Sequence, residues 1–383
     1  MTMLHEIASH RLTLLKSGEE YFPRLLAAIH SAKKSIYLET YIWAADETGR
    51  HLKEALESAA ARDVAVHVML DGFGSADFPV TWIAEMSRLG VKLQWFRREL
   101  TRFRLARHRL RRLHRKLVLL DEQIAFVGGI NIADEVETPR LDYAVEVVGP
   151  VTMHITHSMK QLWSLVSWAN LHRADSRFRL FIKRQSEQEN VQFLVRDNIR
   201  HRRNIERAYL KAIREARHEI IIANAYFLPG PRFRSYLISA VQRGVRVVLL
   251  LQGKVEYRLQ HYATQALYDE LLHKGIEIFE YKPHFLHAKV AVVDGEWATV
   301  GSSNIDPISL LLAREANLVV CDVGFAGALR ASLLSEIKHG GQAVLHSQWH
   351  ERSPWQRLVL HLSYALVRGL LGVTGYIQKY DDL

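Results

Sequence analysis

Two segments of the chain contain histidine, lysine and aspartate in one shared spacing. The pattern H-x-K-x4-D runs from His114 to Asp121 and again from His287 to Asp294. Histidine can serve as a nucleophile or as a general acid and base, and on a strand a lysine two residues away projects to the same face. A phosphodiester requires charge neutralisation at its free oxygens, a nucleophile at phosphorus and a proton for the leaving oxygen. The pattern therefore predicts phosphodiester chemistry without a metal.

Further polar residues follow each motif at matching distances. A glycine-led turn ends in an asparagine, Asn131 or Asn304, and an acid follows, Asp142 or Glu315; in both pairs the offset equals that of the histidines, 287 − 114 = 173. The asparagines are predicted to bind the substrate phosphate, and the acids to hold the second ring nitrogen of a histidine and orient it. The shorter side chain of Asp142 is expected to reduce its reach. The repeat indicates a duplication in which both histidines converge on one phosphorus.

The candidate catalytic residues are those of the two motifs: His114, Lys116, Asp121, His287, Lys289 and Asp294. Within this set the aspartates lie at predicted strand ends. They are expected to be structural and to pair with nearby donors rather than with substrate. No metal and no cofactor is expected, because the lysines already supply positive charge.

In each half, apolar runs typical of strands alternate with amphipathic helical stretches. First-half strands are predicted at 36–41, 64–70, 91–96, 116–120, 124–127 and 143–148, and helices near 21–31, 51–61 and 82–89. This alternation predicts an α/β fold of two pseudo-symmetric α-β-α sandwich halves with the active site at their interface. The predicted divisions are a first half at 1–172, a linker at 173–203, a second half at 204–345 and an amphipathic tail at 346–383 that could lie at a membrane interface.

Composition narrows the class of partner and compartment. The 383 residues carry a formal charge of +10, which favours a phosphate-bearing partner, either nucleic acid or an acidic membrane surface. The single cysteine, Cys321, excludes an intrachain disulfide framework; it is expected to be a buried small hydrophobe in a reducing compartment. The first residues lack the pattern of a signal peptide, and no run of about 20 apolar residues predicts a spanning helix.

A basic segment leads directly into the first motif. Residues 97–116 contain ten arginines or lysines and one acid, interleaved with leucine and phenylalanine. This mixture favours an interfacial element on anionic lipid, although a charge run is more often a solvated face.

On these motifs the chain resembles the phospholipase D superfamily, whose signature is two H-x-K-x4-D motifs, each followed by G-x-x-N or G-S-x-N. It resembles most the bacterial cardiolipin synthases of the shorter B subtype, which lacks N-terminal membrane helices; the likeness includes 38–43, 70–75, 223–227 and 298–307. The resemblance implies phospholipase D-type halves and a two-step transfer between two phosphatidylglycerol molecules that gives cardiolipin and glycerol through a phosphatidyl-histidine. It further implies that His114 is the nucleophile and His287 the acid and base, and that the protein is peripheral on the cytoplasmic face of the inner membrane.

Three other functions stay open. A nuclease would use the basic segment as a phosphate-binding strip, but no aromatic–basic stacking platform is evident, so no nucleic acid partner is expected. A phospholipid hydrolase differs from a synthase only in accepting water instead of an alcohol. A non-enzymatic lipid-binding module is disfavoured by the completeness of both motifs. The oligomeric state and the preferred donor and acceptor lipids are left undetermined by the sequence.

Overall fold

The computed structural model describes residues 4–97, 111–135, 139–169, 189–197, 201–350 and 353–373. Most of the basic segment, residues 173–188 of the predicted linker and the last ten residues of the predicted tail lie outside these ranges.

The strands of the first half match the six predicted ones to within one residue at each end. Three more are present, two at the N-terminus and one of two residues before the last strand. In chain order they are β1 (Leu4–Ile7), β2 (His10–Lys16), β3 (Ser35–Thr40), β4 (Ala65–Asp71), β5 (Lys92–Phe96), β6 (Lys116–Leu120), β7 (Ile124–Gly128), β8 (Arg140–Leu141) and β9 (Tyr143–Val148). All except β8 form an eight-stranded sheet in the order β1-β2-β9-β7-β6-β3-β4-β5. Strands β3, β4 and β5 are parallel, and the remaining neighbours are antiparallel.

The second half repeats this arrangement. Its strands are β10 (Val191–Arg196), β11 (Glu219–Asn224), β12 (Arg246–Gln252), β13 (Glu277–Tyr281), β14 (Phe285–Leu286), β15 (Lys289–Val293), β16 (Trp297–Gly301), β17 (Glu315–Cys321) and β18 (Gly341–Ala343). The order β10-β17-β16-β15-β11-β12-β13 in the second sheet reproduces β2-β9-β7-β6-β3-β4-β5 strand for strand. The eighth strand differs, because it is β18 beside β13 in the second sheet and β1 beside β2 in the first. The predicted α/β fold in two related halves is confirmed.

Helices connect and cover the strands. They are α1 (Ser17–Ser31), α2 (Glu47–Ala61), α3 (Val80–Arg88), α4 (Thr152–Ala169), α5 (Asn204–Glu215), α6 (Pro231–Gln242), α7 (Arg258–Gln265), α8 (Tyr268–His273), α9 (Pro307–Leu311), α10 (Val323–Gly340), α11 (His346–His350) and α12 (Pro354–Val373). Local sequence sets several boundaries. The side chains of Asp46 and Asp322 accept the N–H groups of Gly49 and Phe325 and so cap α2 and α10. No helix of the described ranges is both long and apolar enough to cross a bilayer.

One apolar core joins the two halves. It combines inward residues of the first sheet, such as Leu117 and Val145, with residues of the second, such as Ile221 and Val290, and with one face each of α4 and α10. Two further cores lie between each sheet and its own helices, one with α1 and α2 and the other with α5, α6 and α8. The shared core packs the halves against each other and so holds the two motifs in a constant relation.

Two local features differ from the sequence expectations. Within the predicted linker, Val191–Arg196 forms β10, which pairs antiparallel with β17. The expected burial of Cys321 is wrong: the residue is exposed, because it is the last residue of β17 and the buried run ends at Val320.

Candidate active site

Backbone pairing across the interface holds both histidines. Strand β14 pairs in parallel with β8, and the N–H of His287 donates to the carbonyl of Leu141 (2.8 Å). At the pseudo-equivalent place Leu113 bridges in parallel to Arg314, and the N–H of His114 donates to the Arg314 carbonyl (2.9 Å). Each histidine is therefore hydrogen-bonded through its backbone N–H to the residue that directly precedes the acid of the opposite half.

Each imidazole meets the carboxylate of the other half. His287 Nδ1 lies 2.6 Å from Asp142 Oδ2, whereas His114 Nδ1 lies 3.0 Å from both carboxylate oxygens of Glu315 and 3.2 Å from the Ser302 carbonyl. The expectation that Asp142 would reach a histidine less well than Glu315 is wrong. Its contact is the shorter one, because the β8–β14 pairing brings the backbone of Asp142 close to His287. With Nδ1 engaged in both rings, Nε2 is the nitrogen left for substrate.

The two lysines are buried beside the histidines. Lys116 Nζ donates to the His114 carbonyl (2.9 Å), Lys289 Nζ donates to that of His287, and Lys289 Nζ lies 3.6 Å from Asp142 Oδ2. Burial, with the charge of Lys289, lowers the pKa of Lys116 to about 7. Burial also lowers the pKa of Lys289 to about 8, although Asp142 and Glu315 oppose this. A bound phosphate would relieve the cost of two neighbouring buried ammonium groups.

Burial and the neighbouring cations disfavour the protonated form of both imidazoles. The pKa of His287 is lowered well below its usual value by burial, then by Lys289 and Lys116. Burial lowers the pKa of His114 as well, with Glu315 opposing. The charge of His114 also acts on His287, so the two rings belong to one electrostatic site. Burial raises the pKa of Asp142 to about 6, while Lys289 lowers it. Neutral imidazoles are the form needed for a nucleophile and a base.

Each glycine-led turn that follows a motif ends in an asparagine with a buried side-chain oxygen. Asn304 is buried, and the side-chain oxygens of Asn131 and Asn304 are buried without a hydrogen-bond partner among the described residues. Buried amides normally have hydrogen-bond partners in the protein, so these two side chains are suited to binding a ligand. Rotation of the side-chain amide by half a turn exchanges its oxygen and its NH₂ group, so the NH₂ group can then donate to a phosphate oxygen. Ser302 Oγ donates to Glu315 Oε2 (2.5 Å) and so helps to fix that carboxylate.

The motif aspartates lie at the opposite ends of β6 and β15 from the histidines. Asp121 accepts the N–H groups of the residues from Lys33 to Ser35 (2.7–2.9 Å), and Asp294 accepts those from Arg217 to Glu219 (2.8–2.9 Å). Both fasten the loops that enter β3 and β11. The two aspartates are placed away from the reacting groups, in the structural position expected from their strand ends.

Sequence reasoning missed a second pair of positioning residues. Asp71, fully buried at the end of β4, accepts the N–H of Leu113 (2.7 Å), and at the end of β12 Gln252 Oε1 accepts that of Leu286 (3.0 Å). Each holds the residue directly before one of the two motif histidines. The sequence did contain a signal for these two residues: each is a polar residue at the end of an apolar strand and is followed directly by a glycine. Arg115, between His114 and Lys116, points away and forms a buried two-point ion pair with Glu39 (both hydrogen bonds 2.7 Å).

Comparison with known proteins agrees with this geometry. The family model described as "Cardiolipin synthase, PLD-like domain" matches residues 25–163 and 209–336, one segment in each half. Cardiolipin synthase B of Escherichia coli is 37% identical over 385 aligned residues, covering 97% of this chain and 91% of the relative. Cardiolipin synthase B of Salmonella typhi is 36% identical with the same coverage. Cardiolipin synthase A of Pseudomonas syringae pv. syringae is 30% identical, covering 86% of this chain and 69% of the relative.

Solved structures share the fold at low sequence identity. Phosphatidylserine synthase of Haemophilus influenzae superposes with a TM-score of 0.70 at 14% identity, covering 100% of this chain and 97% of the other. Polyphosphate kinase of Porphyromonas gingivalis gives a TM-score of 0.60 at 14% identity, covering 88% and 49%. Taken with the relatives that match over nearly its whole length, these findings show that the chain belongs to the PLD-like domain family of the cardiolipin synthases.

Proposed function

We propose that this protein is a phosphatidyltransferase that makes cardiolipin and glycerol from two molecules of phosphatidylglycerol. The observation that carries the proposal is the pair of imidazoles, each engaged through Nδ1 by the carboxylate of the other half, with Lys116 and Lys289 buried beside them. The similarity to cardiolipin synthases over 97% of the chain supports this substrate class.

In the proposed first step His114 Nε2 attacks phosphorus. His287 enters this step as the imidazolium, with its Nδ1 on the Asp142 carboxylate and the phosphate anion beside it. The nitrogen–phosphorus bond forms, the bond from phosphorus to the glycerol oxygen breaks, and His287 Nε2 gives its proton to that oxygen, which leaves the ring neutral. In the second step the hydroxyl of another phosphatidylglycerol loses its proton to His287 Nε2, binds phosphorus and displaces His114. Lys116, Lys289 and the amides of Asn131 and Asn304 stabilise the negative oxygens of both transition states.

We further propose that α12 lies on the surface of an anionic phospholipid membrane at its cytoplasmic face. Leu360, Tyr364 and Val367 pack the inner side of α12 against the second half. The outer side carries a stripe at positions 355, 358, 362 and 366, where Trp355 is 72% and Leu362 58% exposed. Arginines 357 and 368 on the same helix suit anionic headgroups, so the helix combines apolar burial with charge attraction.

The deciding experiment incubates the purified protein with labelled phosphatidylglycerol in mixed micelles containing EDTA and separates the products by thin-layer chromatography. Cardiolipin with glycerol supports the synthase, phosphatidic acid supports a hydrolase, and inert lipid with cleaved DNA supports a nuclease. His114→Ala and His287→Ala should each abolish turnover, whereas His30→Ala, an exposed histidine on α1, should not. Substantial cardiolipin from either active-site variant would refute the shared site.

A further inference from the structure

A cluster of three polar side chains lies beside His287 and takes no part in the chemistry described above. Glu256 receives hydrogen bonds on both carboxylate oxygens, from Arg140 Nη2 to Oε1 (3.1 Å) and from the Tyr226 hydroxyl to Oε2 (2.7 Å). Arg140 precedes Asp142 by two residues. Glu256 follows Gln252, whose side chain accepts the N–H of Leu286, the residue before His287. The cluster is therefore built on the same segments that position the second histidine.

The cluster also belongs to the active site electrostatically. The charge of Arg140 lowers the pKa values of His287 and Lys289, after the larger effect of burial, and the charge of Glu256 raises that of Lys289. These groups therefore influence the protonation of the residues that would handle the proton.

Among the described residues, the other half has no equivalent cluster at the matching positions. The positions that correspond to Arg140, Tyr226 and Glu256, counted from the matching acids and strand ends, are Ala313, Ile42 and Ser75. Ser75 serves the fold: its Oγ donates to the Tyr41 carbonyl and accepts the N–H of Trp43. Beside His287 lies this charged cluster, whereas beside His114 the ring of Tyr41 packs edge-on against the imidazole, with 5.0 Å between the ring centroids.

The cluster has unused hydrogen-bonding capacity and space beside it. The side chains of Arg140 and Glu256 are 29% and 21% exposed, and each carboxylate oxygen of Glu256 has a second lone pair. A cavity of about 20 Å³ is lined by Tyr226, Gln252 and Glu256 together with residues of the α7 region. This volume suffices for one water molecule or one hydroxyl group.

We propose that Arg140, Tyr226 and Glu256 form the alcohol subsite of the transferase, which binds a free hydroxyl of the glycerol group. The proposal rests on the function above, with His287 as acid and base. That histidine must touch the departing oxygen in the first step and the attacking oxygen in the second, so both occupy the same place. A neighbouring hydroxyl of the glycerol group donates to Glu256 and accepts from Arg140. Water has no second hydroxyl, so the cluster favours transfer over hydrolysis.

The test uses phosphatidyl-p-nitrophenol as donor and a mixture of glycerol and water as acceptors. Release of nitrophenol reports the first step, which needs no glycerol there, and the ratio of phosphatidylglycerol to phosphatidic acid reports the choice of acceptor. In Glu256→Gln and Tyr226→Phe the ratio of phosphatidylglycerol to phosphatidic acid should fall by a larger factor than the nitrophenol burst, because only the choice of acceptor uses a second hydroxyl. Both variants should also raise the KM for glycerol, for Glu256→Gln by about tenfold, the effect of one charge-assisted hydrogen bond.

Glu277→Gln is the matched control, because Glu277 pairs with Arg246 (2.7 Å) on the exposed side of the second sheet. An unchanged product ratio in both cluster variants, or an equal change in the control, would overturn the subsite. The proposed function, and the subsite with it, would instead be overturned if the wild-type protein formed no phosphatidylglycerol from phosphatidyl-p-nitrophenol and no cardiolipin from phosphatidylglycerol.

Discussion

Replacing Asp142 by asparagine tests the crossed pairing of histidines and carboxylates. Asp142 is fully buried and accepts from His287 Nδ1 at 2.6 Å and from the Tyr143 N–H at 2.8 Å. Loss of a hydrogen bond to a charged group costs about 1.5–3 kcal/mol, or roughly 10–150-fold in rate. The new amide can also donate to Nδ1 and leave the proton on Nε2, and in a Ser-His-Asp triad such a change lowers kcat by about 10⁴. Cardiolipin synthesis from phosphatidylglycerol should therefore fall by about 10³–10⁴.

The same variant should behave differently with phosphatidyl-p-nitrophenol. Nitrophenolate is a good leaving group that does not need a proton, so loss of the acid should spare the first turnover. We expect Asp142→Asn to keep the nitrophenol burst within about tenfold of wild type. Glu315→Gln should instead weaken the burst with this donor, because Glu315 contacts Nδ1 of His114, the proposed nucleophile.

Stopped-flow absorbance for nitrophenol and chromatography of cardiolipin measure the two effects on one preparation. Glu336→Gln is the control, since that carboxylate pairs with Lys16 across the halves outside the site. A burst lost in Asp142→Asn and kept in Glu315→Gln would reverse the pairing or the roles of the histidines. Cardiolipin formation within tenfold of wild type in Asp142→Asn would refute the orienting role altogether.

Other perturbations follow from the burial and hydrogen bonds of single side chains. Lys116→Met should abolish turnover yet raise Tm, because it removes a buried ammonium group. The pKa of Lys116 in the folded protein, about 7, lies below its usual value, so the increase in Tm should be greatest below pH 7 and shrink as the pH rises towards 10. Calorimetry across this pH range measures the increase. Asp121→Ala should leave kcat per folded molecule unchanged but lower Tm. Burial raises the pKa of Asp121, yet its backbone donors lower it on balance, so the wild-type advantage should be present above pH 4 and vanish in acid. Asp71→Ala should lower the free energy of unfolding by about 3 kcal/mol in urea titrations, because three N–H groups lose their acceptor, whereas Asp77→Ala in the same loop should not. Leu362→Glu on α12 should weaken cosedimentation with phosphatidylglycerol vesicles by about tenfold or more, unlike Leu89→Glu at the end of α3.

The sequence predicted the parts of the molecule that depend on local pattern. Strands such as β6 and β15 are continuous apolar runs, and the spacing within each motif follows from strand geometry, so the position of each histidine and lysine was accessible. The duplication was equally evident from the shared offset of 173 residues between the motifs, given by 287 − 114.

What escaped prediction depends on contacts between distant segments. The crossed pairing of His287 with Asp142 arises from two-residue strands too short to produce any periodicity. Strand β10 lies in a polar region and is strand only because β17 offers it an open edge. The cluster around Glu256 draws one residue from the first half and two from the second, so no single stretch of sequence reveals it.

The exchange of carboxylates between the halves makes catalysis a property of the fused chain. A fragment containing a single motif would lack the acid that orients its own imidazole, and it could become active only by assembling with a second fragment in the manner of a two-fold homodimer. Fusion removes the requirement that both copies stay identical. One half can then keep Ala313 while the other acquires Arg140, and a symmetric scaffold can host two different chemical duties.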